Sequence, residues 1–188
     1  MPFEPVEIKL PKELLERAGA YALRRAKRTD SSPAKYWDAD GPDRDYTGVV
    51  CELAFYEWRY GSWKVRAAAL EREVVRYGLN DSGEDDVGIN VRGSLLPPGR
   101  ALARQHLLVS VDPENGGKLY PHWRYVAAFY EHGHQRVWLA GYELGSRLEA
   151  LCPEPYRITP RGFLSRIVKV TELRSVKRLP HVGLSEVA

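Results

Sequence analysis

Cysteine is scarce in this chain, with two residues in 188, and the pair Cys51 and Cys152 shows neither a CxxC spacing nor a partner HxxxH motif. That excludes a disulfide framework and a Cys/His zinc site, and points to reduced thiols. No apolar run approaches the roughly 18 residues that a membrane-crossing helix needs. The opening Met1-Pro2-Phe3-Glu4 lacks the basic and apolar regions of a secretion signal, so the expected location is the cytoplasm, with no membrane partner. No internal repeat and no low-complexity tract is present. A 44% hydrophobic and 28% charged composition belongs to a folded domain, and the length suits a single one spanning 1–188.

The net charge of +3 is small, but its distribution is uneven. Segment 156–180 holds seven bases (Arg157, Arg161, Arg166, Lys169, Arg174, Lys177, Arg178) and one acid, Glu172. Segment 80–90 holds four acids (Asp81, Glu84, Asp85, Asp86) and no base. A local acidic cluster in a chain with basic segments is what a metal-dependent enzyme acting on a polyanion requires. A solvated surface is the competing explanation.

Apolar spacing predicts a helix opening at Pro11, with Leu14, Leu15, Ala18, Tyr21 and Ala22 on one face, and closing in Arg24-Arg25-Ala26-Lys27-Arg28. Basic residues there complement the helix dipole, so they require no nucleic acid. A long loop is expected over 29–45, then a second helix over 48–59 capped by Thr47, then a helical or mixed segment over 65–77. Strands are expected at 89–92, 105–111, 125–130 and 136–140, a helix over 144–151, and helix followed by strand within 162–179. Helices first and strands after them read as α/β or α+β, a central mixed sheet flanked by helices. The N-terminal helix and loop occupy 1–46, the core 47–151, and a basic extension 152–188.

The richest stretch is Asp85-Asp86-Val87-Gly88-Ile89-Asn90-Val91-Arg92. In the strand after the glycine turn, Asn90 and Arg92 are two apart and share one face, while Ile89 and Val91 point to the other. An amide and a guanidinium on a strand face have a desolvation cost to offset, through function or through ion pairs. Aspartates before a glycine are also ordinary turn residues. Trp123, Tyr125 and Trp138 read as core rather than as base-stacking platforms.

The order of motifs, G-x-x-x-E from Gly48 to Glu52, D-V-G-x-x-V-R from Asp86 to Arg92, then LLVSVD, a Tyr-Val strand and V-x-L-x-G-Y, resembles the PD-(D/E)xK nuclease superfamily in its small phage and prokaryotic forms. The likeness covers 47–151 and implies a restriction-endonuclease-like fold and a Mg²⁺- or Mn²⁺-dependent endodeoxyribonuclease. It implies Glu52 as the helix glutamate, Asp86 as the metal-binding aspartate, Asn90 in place of the second acid and Arg92 in place of the lysine. The metal would be held by Asp86, Glu52, Asn90 and the Val91 carbonyl, with Asp81 or Asp85 as alternatives to Asp86. Asn90 keeps an oxygen ligand but loses a charge, and Arg92 is too basic to accept a proton. DNA would be approached by Arg166, Lys169, Arg174, Lys177 and Arg178, and a homodimer would suit double-strand cutting. Two rivals stand beside this reading. One is a DNA-binding or assembly protein that keeps the fold without hydrolysis; the other is a structural protein with no nucleic-acid role.

Overall fold

The computed structural model describes residues 3–28, 44–76, 88–111, 118–157 and 164–180, side chains of 23–28, 44–45 and 71–76 excepted. Strand β1 (Val6–Lys9) precedes helix α1 (Lys12–Arg28), whose predicted face, with Leu14, Ala18, Tyr21 and Ala22, is buried. Helices α2 (Arg44–Tyr60) and α3 (Lys64–Arg76) follow. Next come β2 (Ile89–Leu95), β3 (His106–Ser110), β4 (Arg124–Glu131) and β5 (Arg136–Leu144), then helix α4 (Gly145–Leu151) and strands β6 (Tyr156–Arg157) and β7 (Leu164–Lys169).

The strands form a four-stranded sheet of order β1-β5-β4-β2, in which β2 and β4 run parallel and the other pairs antiparallel, and a three-stranded antiparallel sheet of order β3-β7-β6. The class is α+β, with one mixed sheet. Strand β4 explains the layering. Its continuous apolar run, Tyr125-Val126-Ala127-Ala128-Phe129-Tyr130, is buried on both faces, as a central strand must be. Val126, Ala128 and Tyr130 join a core with Leu14, Phe55 and Ile89 under the helices. Tyr125, Ala127 and Phe129 join a second core with Leu107, Val109, Leu148 and Val168 under the smaller sheet.

Helix α2 sits directly on β2. A Cβ on Gly93 would lie 2.9 Å from Cys51 Cβ and 3.0 Å from Gly48 Cα, so the small Gly48 and Gly93 let helix and strand approach. Cys51 is sealed in this contact, and burial pushes its thiol up to about 12, which leaves it unreactive. Both cysteines are buried and free.

The differences from expectation have physical causes. Strand β3 buries only alternate residues, Leu107 and Val109, so it belongs to an outer antiparallel sheet rather than to the central one. The tail is a strand, β7, followed by 3₁₀ turns at Val170–Glu172 and Val176–Arg178, because it pairs with β3 instead of coiling alone. Thr47 does not cap α2: the helix starts three residues earlier, and the buried Thr47 hydroxyl has no hydrogen-bond partner among the described residues. Strand β1, unpredicted, adds an edge to β5. Most of the loop expected over 29–45 lies outside the described residues. No helix among the described residues is long and apolar enough to cross a membrane.

The β4–β5 hairpin closes on a charged cluster. Glu131 accepts hydrogen bonds from Arg136 Nε (2.6 Å) and Trp138 Nε1 (3.0 Å) and pairs with His134 Nδ1 (2.7 Å). The Arg136 bond foremost, aided by Trp138 and His134 and opposed by partial burial, lowers the Glu131 carboxyl to about 2. A carboxylate depressed on folding adds stability above its unfolded value, here 4.5, and loses it as pH falls through the folded value. Glu131→Gln is therefore expected to melt below the parent at pH 7, with the gap closing between about pH 4.5 and pH 2. Thermal melts of both proteins across that window check this; a gap independent of pH would contradict it.

Candidate functional site at the leading end of strand β2

Gly88 starts the site. Its φ of +61° is left-handed backbone that glycine adopts without strain, and its carbonyl accepts the Arg124 amide at 2.9 Å, which starts the β2–β4 ladder. At the far end the Leu96 amide donates to the Tyr130 carbonyl at 2.8 Å. Even-numbered residues of β2 thus turn their backbone groups toward β4, and the Val91 carbonyl, at an odd position, turns toward the outer edge of the sheet.

Side chains alternate at right angles to this plane. Ile89, Val91, Gly93 and Leu95 face the helices, as the Gly93–Cys51 contact and the core membership of Ile89 require. Asn90, Arg92 and Ser94 face the other way, in register with Tyr125, Ala127 and Phe129 of the second core. The structure therefore brings Asn90 and Arg92 to one face, as their spacing predicts. Asn90 is 3% exposed, and its Oδ1 has no hydrogen-bond partner among the described residues. A buried amide oxygen without a donor costs about 1–3 kcal/mol.

Glu52 stands elsewhere. One turn beyond Gly48, it lies on the helix-covered side of the sheet, and its Oε1 accepts from Arg66 Nε of α3 in a buried ion pair. The two residues are 7% and 6% exposed, and the Arg66 guanidinium also lies 5.9 Å from the Tyr56 ring centre. Any meeting of Glu52 with Asn90 has to pass around the outer edge of β2, where the Val91 carbonyl points. Asp86, Asp85 and Asp81 lie outside the described residues. Among the described residues no three His, Cys, Asp or Glu side chains form a metal-holding group.

Further neighbours complete the surroundings, Arg124 and Glu143 among them not singled out from the sequence. Tyr125, beside Asn90, is buried, and its hydroxyl accepts the Tyr120 amide at 3.3 Å. Burial raises the Tyr125 phenol, while that amide and the positive charge of Arg92 pull against the rise. Arg124 reaches Gly88: a Cβ there would sit 3.8 Å from its Nη1. Glu143, opposite Tyr125 on β5, is a buried acid that accepts from Arg174 Nε at 3.0 Å. The signal for Arg124 and Glu143 was a charged residue inside or bordering an apolar strand.

The proposed DNA-facing bases divide. Lys169, Lys177 and Arg178 are exposed, and Arg174 is half-exposed while held by Glu143. Arg166 points inward: it is buried and donates to the Cys152 and Pro153 carbonyls, closing the C-terminal end of α4, with Glu149 at 3.9 Å. A buried guanidinium spent on two backbone carbonyls is a structural brace.

Comparison with known proteins adds no relative: no family model, no curated protein and no solved structure matches the chain.

Proposed function

We propose that the chain is a metal-dependent nuclease-like protein acting on phosphodiester bonds of DNA at the leading end of β2. The observation that carries this reading is the buried, donor-less Asn90 amide oxygen on the same strand face as Arg92. Hard cations accept neutral amide and backbone oxygens, so the residues fit Mg²⁺ or Mn²⁺, held by Asn90 Oδ1, the outward Val91 carbonyl and Asp86. Such an ion, when bound, neutralises phosphate charge and acidifies water. Arg92 supplies a planar two-pronged donor to the phosphate oxygens and, being always protonated, orients and neutralises rather than accepting a proton. Glu52 serves first as the partner of Arg66. Lys169, Lys177 and Arg178 would add phosphate contacts that weaken steeply with salt, and a homodimer would supply a second site for the opposite strand.

A second reading, DNA binding without hydrolysis, is favoured by one feature. The ligand candidates within the described residues include one carboxylate, Glu52, and Arg66 already binds it, while Asn90 is neutral. Plasmid and single-stranded DNA incubated with Mg²⁺ or Mn²⁺ separate the two. Cleavage that falls by at least about 100-fold in Asp86→Ala is the expected result, since loss of one ion ligand costs at least as much as loss of its supporting shell. Undiminished cleavage in the variant would contradict the proposal, and retarded migration without cutting would select the second reading.

A further inference from the structure

The loop that leads into β4 carries an aromatic stack turned to solvent. Tyr120 is 59% exposed, and its ring lies over Trp123 with centroids 4.3 Å apart and planes within 25°. Trp123 is half-buried and packs against the second core, so the inner ring of the stack is anchored. The backbone beneath is fixed three ways. The Tyr120 amide donates to the Tyr125 hydroxyl, the Trp123 carbonyl accepts the Gly145 amide at 2.9 Å, and the Pro121 carbonyl accepts the Ser146 amide at 3.1 Å.

The surroundings suit a polyanion. Lys118 and His122, two positions to either side of Tyr120, are exposed, Arg124 follows Trp123, Glu149 is engaged by the Leu119 amide at 2.7 Å, and the Tyr125 hydroxyl that holds the Tyr120 amide belongs to the residue in register with Asn90, on the strand face shared with Arg92. An aromatic face bordered by cations matches a base attached to its phosphate. A base inside a duplex has both faces covered by its neighbours and cannot use such a platform, whereas an unpaired base can.

We infer that Tyr120, backed by Trp123, stacks an unpaired base of single-stranded DNA whose backbone runs toward Arg92. This rests on the nucleic-acid reading above and deepens it by naming unpaired DNA as the form held beside the site. Stacking of one base on an aromatic ring is sequence-tolerant, so no base preference accompanies it.

The test compares the parent chain with Tyr120→Ala and Tyr120→Phe, binding a fluorescent single-stranded 12-mer and its blunt duplex at low salt. A second reading of the same samples follows quenching of a 2-aminopurine placed along the single strand. The expected result is about a tenfold or greater loss of single-strand affinity in Tyr120→Ala, with quenching lost, Tyr120→Phe close to the parent, and duplex affinity unchanged. Unchanged single-strand affinity, or an equal loss on both DNAs, would overturn the stacking role while leaving an Asp86-dependent cleavage intact. Failure of either DNA to bind any of the three proteins would overturn both proposals together.

Discussion

Gly145→Ala is expected to cost about 3 kcal/mol of stability, the upper part of the range for forcing atoms into a packed site, and to lower the midpoint of thermal unfolding by about 6–12 °C in a chain of this size. Helix propensity alone predicts the opposite sign, since alanine exceeds glycine by about 1 kcal/mol within a helix. Sterics decide the outcome. A Cβ at position 145 would sit 2.2 Å from the Tyr120 carbonyl oxygen, 3.0 Å from its carbon and 3.2 Å from Tyr125 Cε2. Two of those atoms are backbone, in a loop also tied to α4 through the Gly145 and Ser146 amides, so nothing flexible can yield. The loop would have to separate from α4, moving Tyr120 and the Tyr125 hydroxyl with it. A calorimetric melt that matches the parent would show that this junction is looser than described.

Arg66→Ala is the second large effect. It removes the partner of a carboxylate that is 7% exposed, and breaking a buried pair from one side costs about 3–5 kcal/mol because the remaining charge stays out of water. The cost is one-sided. Replacing both members with apolar residues of similar size, Glu52→Leu with Arg66→Met, should recover most of the loss, since a buried pair and a packed apolar pair are often close in energy. Urea unfolding of the two single variants and the double variant measures the coupling. The same set locates the role of Glu52. If the pair is a brace between α2 and α3, the double variant keeps whatever DNA cleavage the parent has; if Glu52 also holds the cation, cleavage is lost with stability intact. Single variants as stable as the parent would contradict the buried-pair argument.

How much of this was readable from residues alone follows from the range of the interactions involved. Helix α1 was visible because Leu14, Ala18, Tyr21 and Ala22 repeat at the helical period, and β4 because its apolar run is unbroken. The shared face of Asn90 and Arg92 was visible because strand alternation is local. Partner choice is not local. That β3 leaves the central sheet to pair with β7, more than fifty residues later, is encoded only in the one-sided burial of Leu107 and Val109. Arg166 looked like its basic neighbours because nothing in the chain order shows that α4 ends beside it. The Glu52 ion pair was not readable because the α3 arginine that takes it is fourteen positions away and carries no motif. The exposed stack of Tyr120 on Trp123 was hidden for a related reason: a lone tyrosine beside a proline gives no sign of it.

Whether the leading end of β2 gathers oxygen atoms around a divalent cation is decided by titration of Mn²⁺ followed through its free-ion resonance. Binding is expected in the parent chain, weakened about tenfold or more in Asn90→Leu and in Asp86→Ala, and retained in the Glu52→Leu, Arg66→Met double variant. Equal Mn²⁺ binding by the parent, Asn90→Leu and Asp86→Ala would contradict it.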